Sequence, residues 1–464
     1  MPLLKRVFTA HTGDLTQGPP GKRLFLYMIP ILITNLFQQC YNLADTIIVG
    51  QLVGAGALAA VGGTGPVFYL CSTVTIGFAA GVGILSGQYF GSGRTRSLRD
   101  IFTTATVFTA LSSVVIGAVG AVCAPWLLAL LRTPADVLAD SVTYLRMVSL
   151  GFPFMGLGAS GAAVLSALGD SKTPLYCTAA GGLCNVVLNL FFVLVCRLGV
   201  FGVALATVLG QLLTCLLGLP LLLKKLAAIT GQPQLPLRRV PGHFSGKLLK
   251  EVLRLGLSSS LQGAVLAGSL LLMQSLINGF GSLYMAAYTT VQKIEWLVLL
   301  PLNNLYQAFS NFTAQNIGAG KLPRVRRCYR LTLLWGTGFC AVMALVLLFG
   351  SRGLAGLFVA AGSGEQVITA VGDYFKVAVV YYFPLVLMFQ SEGLLRGAGD
   401  VLTVSVITGA AMVFRLVTAF ILAPKMGFSA IPLAFLASYT SEAIIAYLRY
   451  RRGRWRHKAV VLAR

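Results

Sequence analysis

Acidic residues are scarce in this sequence: it has 13 Asp and Glu against 36 Lys and Arg, and charged residues together make up 11% of the chain. Hydrophobic residues account for 56%, and the mean hydropathy is +0.82. A soluble protein of 464 residues needs far more polar surface than this to face water. The composition therefore predicts a membrane protein.

Histidine is also rare, and its three copies, His11, His243 and His457, fall in polar segments. This placement excludes a histidine proton relay within the membrane. The nine cysteines contain no Cys-X-X-Cys pair and fall mostly in apolar runs, so we expect no disulfide and no metal site. No cofactor is expected, and nothing in the apolar runs indicates an enzyme, since they hold no metal-ligand cluster and no nucleophile with a base.

Apolar runs long enough to cross about 30 Å of bilayer, at about 1.5 Å per helical residue, predict twelve transmembrane helices. The first six lie near 24–49, 64–90, 101–123, 141–166, 174–196 and 199–223. The other six lie near 252–278, 284–316, 331–350, 371–395, 401–423 and 428–448. We predict an all-α polytopic fold with an N-terminal segment 1–23, an N-terminal lobe 24–223, a linker 224–251, a C-terminal lobe 252–448 and a basic tail 449–464.

The two predicted lobes are copies of one unit. Six positions recur 227 residues later: Gly54, Ala59, Ala60, Gln88, Gly91 and Gly93 match Gly281, Ala286, Ala287, Gln315, Gly318 and Gly320. Each copy holds an even number of spans, so both enter the membrane in the same direction and are related by a pseudo-two-fold axis along the membrane normal. Such duplication in an apolar chain is typical of secondary transporters, with the binding site between the halves.

The cations are distributed unequally between the two sides of the predicted membrane. If the N-terminus is cytoplasmic, 28 of the 36 Lys and Arg residues lie in inner segments. The outer loops hold only Arg132, Arg197, Arg352 and Lys425. This asymmetry predicts that both termini are cytoplasmic. We expect the basic tail to contact anionic lipid rather than nucleic acid.

The first span carries a polar face within the membrane. Asn35, Gln38, Asn42 and Asp45 fall within about 120° of one another at about 100° per helical residue. Asp45 is the ionisable member, which predicts a cation or proton site; the alternative interpretation is a structural Asp that neighbouring amides satisfy. Pro30, in the same span, removes a backbone hydrogen bond and offers a place to bend.

The fifth and sixth spans supply further oxygen ligands. Asn185 and Asn189 are four residues apart and share a helix face, and the sixth span carries Thr207. Amide and hydroxyl oxygens beside one carboxylate suit a monovalent cation or a proton carrier. Hydrogen bonding between helices is the alternative interpretation for the two asparagines.

The second repeat places charges deep in its spans. Lys293 and Glu295 lie near the middle of the eighth span and Arg415 lies within the eleventh, so we expect Glu295 to pair with Arg415 or Lys293. This pair could be a static ion pair or a gate. Glu392 precedes Arg396 by four residues, which predicts a local salt bridge, and Glu442 is interpreted in the same way.

In this order, the motifs resemble those of the multidrug and toxic compound extrusion (MATE) antiporters across nearly the whole chain. The resemblance rests on Asn42-Leu-Ala-Asp45-Thr, Ala59-Ala60-Val-Gly62, Gln88-Tyr-Phe-Gly91, Ala286-Ala287-Tyr288, Gln315-Asn316-Ile-Gly318-Ala-Gly320 and Leu395-Arg396-Gly397-Ala-Gly399-Asp400. It implies a V-shaped pair of six-helix bundles in the bacterial cytoplasmic membrane that works by alternating access. Its activity would be the export of cationic or amphipathic drug-like compounds in exchange for H⁺ or Na⁺, and we expect a monomer.

The resemblance also implies roles for particular residues. The ion site of the N-terminal lobe would comprise Asp45, Asn185, Asn189 and Thr207, and Pro30 would be the hinge. Some members have Asp where this chain has Asn189, and the seventh span shows no acid between Leu261 and Leu272. Coupling through the N-terminal lobe is therefore expected.

A second function keeps the fold and changes the cargo. A flippase or exporter of lipid-linked or anionic precursors, as in related transporters of the same superfamily, would line its cleft with cations. Lys293 and Arg415 favour this alternative, whereas Glu295 and Asp45 oppose it.

Overall fold

The computed structural model describes residues 13–131, 133–236, 238, 240–358 and 364–461. Several residues used in the sequence analysis lie outside these ranges: His11, Arg132, Arg239, Arg464 and most of the N-terminal segment. Within the described residues the chain is almost entirely helical and contains no strand.

The N-terminal lobe consists of seven helices. They are α1 (Pro20–Ile48), α2 (Ala55–Gly91), α3 (Thr95–Leu130), α4 (Ala135–Ser149), α5 (Phe152–Ala167), α6 (Lys172–Leu190) and α7 (Gly199–Ile229). Single π-helical turns, Val49–Val53 and Phe191–Val195, extend α1 and α6.

The C-terminal lobe repeats this architecture with six helices. They are α8 (Gly246–Asn278), α9 (Ser282–Gly318), α10 (Leu322–Gly356), α11 (Glu365–Gly397), α12 (Val401–Met426) and α13 (Ala430–Arg451). A short 3-10 turn, Gly427–Ser429, separates α12 from α13, and another, Arg454–His457, follows α13.

These helices account for the twelve predicted spans with one correction. The fourth span is not one helix, because α4 and α5 meet at an angle of 46°. Pro153 stands in the first turn of α5, where its missing N–H costs nothing and favours a new helix start. By composition alone, α9 falls outside the set of apolar candidate spans, although it has 37 residues. The charged pair Lys293 and Glu295 interrupts its apolar run, and further amides follow: Asn303, Asn304, Gln307 and Asn311.

The basic turns and termini gather at one end of the helix bundle, which we call the basic end. It comprises Arg94 before α3, Arg96 in the first turn of α3, the segment leading into α8, the start of α10 and the segment after α13. Helices α2 and α9 end here, and α3, α8 and α10 begin here.

The two lobes contact each other closely in the halves of their helices nearer the basic end. A Cβ added at Gly77 of α2 would lie 2.2 Å from the Ser260 Oγ of α8, and one at Gly81 would lie 2.7 Å from the Gly256 backbone nitrogen. Glycine is therefore needed here, because any side chain would push α2 and α8 apart.

The same close approach occurs where α2 and α9 end. A Cβ at Gly91 would lie 1.9 Å from the Gln315 carbonyl oxygen, and one at Gly318 would lie 2.1 Å from the Gln88 carbonyl oxygen. These two contacts involve the repeated positions of the sequence. The crossing of α2 with α9 is therefore symmetric about the pseudo-two-fold axis.

Candidate functional site: a polar cluster in the N-terminal lobe beside a cavity between the lobes

The four residues predicted to form the N-terminal ion site come together on α1, α6 and α7. Asp45 of α1 is half-buried and accepts a hydrogen bond from the Asn189 amide nitrogen of α6. The Asn185 amide has two orientations, and the network favours the one in which its nitrogen donates to the two Asp45 oxygens at 2.8 and 3.1 Å. The Asn185 oxygen then accepts from the Thr207 backbone nitrogen at 3.2 Å.

Glycine residues allow the three helices of this cluster to approach. A Cβ at Gly210 of α7 would lie 2.9 Å from the Asn185 Cβ and 2.9 Å from the Gly181 carbonyl oxygen. A Cβ at Gly182 would lie 2.6 Å from the Tyr41 ring of α1. The sequence analysis did not identify these glycines, and their signal was a Gly-Gly pair in α6 and a single Gly in α7 at the level of the polar residues.

The cluster offers more oxygen acceptors than donors. The Asn189 Oδ1 atom is buried and has no hydrogen-bond partner within the described residues. It stands beside the Asp45 carboxylate, to which the same amide donates. No group of three or more His, Cys, Asp and Glu side chains occurs in the described part of the chain. A single carboxylate with neutral oxygens suits a proton or a monovalent cation better than a multivalent metal.

A cavity of 320 Å³ lies between the lobes, and two of the three predicted cleft amides of α1 line it. Polar lining side chains include Asn35, Gln38, Tyr306, Asn311 and Arg396. The Asn35 amide nitrogen donates across the lobes to the Asn304 Oδ1 atom of α9 at 2.6 Å.

The third predicted cleft amide, Asn42, is exposed and is not among the lining residues. The predicted hinge Pro30 lies within α1, which continues through it as one helix. The Thr34 hydroxyl donates to the Pro30 carbonyl at 2.8 Å. The bending role of Pro30 stays a prediction.

The predicted ion pair of Glu295 does not form in the described residues. No salt bridge joins Glu295 to Arg415 or Lys293; instead, the Tyr381 hydroxyl of α11 donates to the Glu295 carboxylate. A neutral hydroxyl donor satisfies a carboxylate without burying a second charge, which costs less desolvation than an ion pair.

The two cations predicted to pair with Glu295 contact aromatic rings. The buried Arg415 guanidinium lies over the rings of Phe435 and Tyr439, 4.3 and 5.0 Å from their centroids. The exposed Lys293 ammonium lies 5.7 Å from the Phe358 ring centroid. The faces of aromatic rings attract cations, so both charges have a partner that the sequence spacing did not reveal.

The predicted salt bridge between Glu392 and Arg396 is also wrong. Within the described residues the two form no salt bridge, and Arg396 donates to the Tyr306 hydroxyl at 3.0 Å. Glu392 is buried, accepts from the Thr408 hydroxyl at 3.3 Å and faces the buried Glu442 carboxyl. Spacing on one helix could not show that Glu392 faces α12 and α13 rather than its own helical neighbour.

The Glu392 and Glu442 carboxyls face each other in a buried site. Two acceptors that face each other in a buried site repel when both are ionised. Glu442 Oε2 is buried and has no hydrogen-bond partner in the part of the chain described. A shared proton would turn this acceptor–acceptor contact into a hydrogen bond.

The chain is similar to known transporters over most of its length. The family named MatE matches residues 30–191 and 259–421. The chain is 28% identical over 445 residues to the "Probable multidrug resistance protein YpnP" of Bacillus subtilis (strain 168), covering 96% of this chain and 97% of that protein. It is 26% identical over 377 residues to the "FAD transporter" of Shewanella oneidensis, covering 80% of this chain and 81% of that protein.

A solved structure shares the fold. The crystal structure of a MATE protein in its bent conformation superimposes with a TM-score of 0.86, covering 97% of this chain and 99% of that chain at 20% identity. The family match spans both repeats and most of the chain. The protein therefore belongs to the MATE family of multi-pass membrane transporters.

Proposed function

We propose that this protein is a secondary antiporter that exports cationic or amphipathic small molecules in exchange for H⁺ or Na⁺. The observation that carries the proposal is the Asp45 carboxylate, which Asn185 and Asn189 contact in one lobe. An intramembrane carboxylate beside the Asn189 Oδ1 atom, which has no hydrogen-bond partner among the residues described, can hold the coupling ion.

Coupling follows if the ion and the cargo favour different arrangements of the lobes. Asp45 is on α1, the helix that also lines the cavity through Asn35 and Gln38. An ion that binds Asp45 changes the contacts of α1 with α6, and a ligand shifts an equilibrium only through such differential contacts. Occupation of Asp45 and occupation of the cavity would thus oppose each other through one helix.

The distribution of positive charge supports one orientation of the protein in the membrane. With the basic end in the cytoplasm, both termini are cytoplasmic. The lobes touch near this end through Gly77, Gly81, Gly91 and Gly318. The structure then corresponds to the state closed towards the cytoplasm. We expect the monomer to be the transporting unit, without a cofactor and without catalytic chemistry.

The test is efflux from proteoliposomes under an imposed pH gradient and, separately, a Na⁺ gradient. Asp45→Asn should insert and bind cargo but lose efflux driven by either gradient, because the neutral amide cannot exchange the coupling charge. Asp140→Asn, which changes an exposed carboxylate of α4, is the matched control and should retain efflux. Gradient-driven efflux at the parental rate in Asp45→Asn would refute the assignment.

A second cargo class is favoured by one observation. Arg396 is the charged side chain among the described residues that line the cavity, and no carboxylate lines it. A cation on the wall favours an anionic cargo, as in the alternative of an exporter of anionic precursors, and one relative is named an FAD transporter. Transport of FAD or a lipid-linked phosphate that Arg396→Gln abolishes, with cationic dye efflux absent in the parent, would favour this alternative.

A further inference from the structure

Two glutamines bridge the lobes at the basic end. Gln88 of α2 and Gln315 of α9 are fully buried and occupy repeated positions. The Gln88 amide nitrogen donates to the Gly397 carbonyl of α11 at 3.0 Å. The Gln315 amide nitrogen donates to the Ala167 carbonyl of α5 at 2.6 Å. Each bond leaves one lobe and ends in the other.

The acceptors of these bonds are helix ends. Ala167 is the last residue of α5, and Gly397 is the last residue of α11. The last carbonyls of a helix have no partner within the helix and must find one elsewhere. Each glutamine therefore satisfies a group that would otherwise be left unpaired in a buried place.

The oxygen atoms of both glutamines bind the two ends of the chain. The Leu15 backbone nitrogen donates to Gln315 Oε1 at 2.9 Å. The Val460 backbone nitrogen donates to Gln88 Oε1 at 2.8 Å. Leu15 precedes the N-terminal lobe and Val460 follows the C-terminal lobe, so these bonds also cross between the lobes.

Further contacts hold both terminal segments in place. The Leu15 carbonyl accepts from the Asn316 amide at 3.2 Å and from an Arg324 guanidinium nitrogen at 3.1 Å. On the other side, the Trp455 ring is fully buried and stacks on Tyr450 with centroids 6.1 Å apart. The segments are thus packed parts of the closed basic end.

We propose that Gln88 and Gln315 are positioning residues that form a reciprocal latch, with Leu15 and Val460 as its terminal partners, which keeps the basic end closed. All four bonds must break before the lobes separate there. The proposal rests on the alternating access proposed above, because a latch has a role only if this end opens during transport.

The latch favours two states over intermediate ones. With the lobes closed, each amide has a protein donor and a protein acceptor; with the lobes parted, water can replace both. A partly opened end would leave buried amides and helix carbonyls unpaired, which is costly. Opening is therefore expected to release the four bonds together.

Three single substitutions test the latch in the full-length protein. Gln88→Met and Gln315→Met keep the side-chain length but remove every latch bond of the replaced residue. Gln390→Met is the matched control, because Gln390 is fully buried in α11 and its amide atoms have no hydrogen-bond partner among the described residues.

The readout is hydrogen–deuterium exchange measured by mass spectrometry in proteoliposomes. Each latch variant should exchange about tenfold faster at the ends of α2 and α9, residues 84–92 and 311–319, because two hydrogen bonds of the closed state are lost. Exchange should slow at the opposite ends, residues 43–53 and 270–280, as the population moves towards closure there. Gln390→Met should leave all four segments unchanged.

If the glutamines had a purely structural role, their replacement would accelerate exchange along all helices, and that result would overturn the proposal. Unchanged exchange at residues 84–92 and 311–319 would also overturn it. If a Met variant fails to fold, deletion of residues 459–464 removes the Val460 donor without altering a helix. It should produce the same opposite changes at the two ends, and unchanged exchange would count against the latch. These measurements need no cargo, so a failed efflux assay leaves their outcome intact.

Discussion

The buried carboxyl groups of this chain differ in what faces them. Amide donors face Asp45, a hydroxyl faces Glu295, and a second carboxyl faces Glu392. A carboxylate is stabilised by donors and destabilised by another acceptor. Donors therefore stabilise the Asp45 and Glu295 carboxylates, whereas the contact of Glu392 with Glu442 brings two acceptors together.

The first prediction concerns Glu392→Gln. The amide supplies a permanent donor to the Glu442 carboxylate and replaces an acceptor–acceptor contact. We expect the free energy of unfolding to rise by about 1 kcal/mol, the usual net gain of a hydrogen bond. Thermal unfolding in detergent measures this change. Asp373→Asn is the control, since Asp373 and Lys376 form a solvent-exposed pair at 2.7 Å and a small effect is expected. A less stable Glu392→Gln would show that the pair needs no shared proton.

At this scale the sequence predicts part of the site. Asn185 and Asn189 lie on the same face of α6 however the helices pack, so the sequence could predict that they are neighbours. In the structure both contact Asp45, and Asn185 also contacts Thr207. The sequence could not predict the partner of Glu295, because that partner depends on how α9 packs against α11. Helix rotation, which spacing along one helix does not determine, brought Tyr381 rather than Arg415 to the carboxylate.

Among the elements, α6 and α7 depend on their glycines to bring Asn185 close to Thr207 and to Asp45 of α1. The second prediction is that Gly210→Ala destabilises the protein by about 1–3 kcal/mol, because its Cβ would overpack against Asn185. Displacement of Asn185 should also weaken ion-driven efflux. Gly218→Ala on the same helix is the matched control, because its Cβ would meet Cys177 Sγ at 4.0 Å, an ordinary contact.

Thermal unfolding and gradient-driven efflux measure the two effects of Gly210→Ala. Equal stability and equal efflux of the two alanine variants would mean that α6 and α7 are not held at contact distance in the membrane.

The helices also show where hydropathy is informative. The length of the apolar runs predicts most spans. Gly427, with a φ of +57°, separates α12 from α13, because a residue without a Cβ adopts this left-handed conformation readily. Hydropathy did not reveal the break between α4 and α5, since both halves are apolar. Pro153 was the available signal, because a proline in the first turn of a helix marks a start.

At the scale of the whole molecule, the sequence duplication is visible in the contacts between the two lobes. The repeated positions Gln88 and Gln315 make equivalent bonds in opposite directions, and Gly91 and Gly318 make equivalent close contacts. The 227-residue offset in the sequence revealed the repeat but not the role of these four residues, because they contact the opposite copy rather than their own. Contacts between copies depend on how the lobes pack, which no pattern within one copy specifies.

The last prediction tests the orientation of the whole molecule. Because the cations gather at the basic end, this end should face the cytoplasm. The exposed native Cys196, beside Arg197 at the opposite end, should react with an impermeant maleimide added outside intact cells. A cysteine introduced at the exposed Gln234 should react only after the cytoplasmic side is made accessible, as should cysteines at Ser97 and Arg456. The parental chain supplies the background of native cysteines. Labelling of Gln234→Cys from outside would reverse the orientation, and the closed basic end would then face away from the cytoplasm.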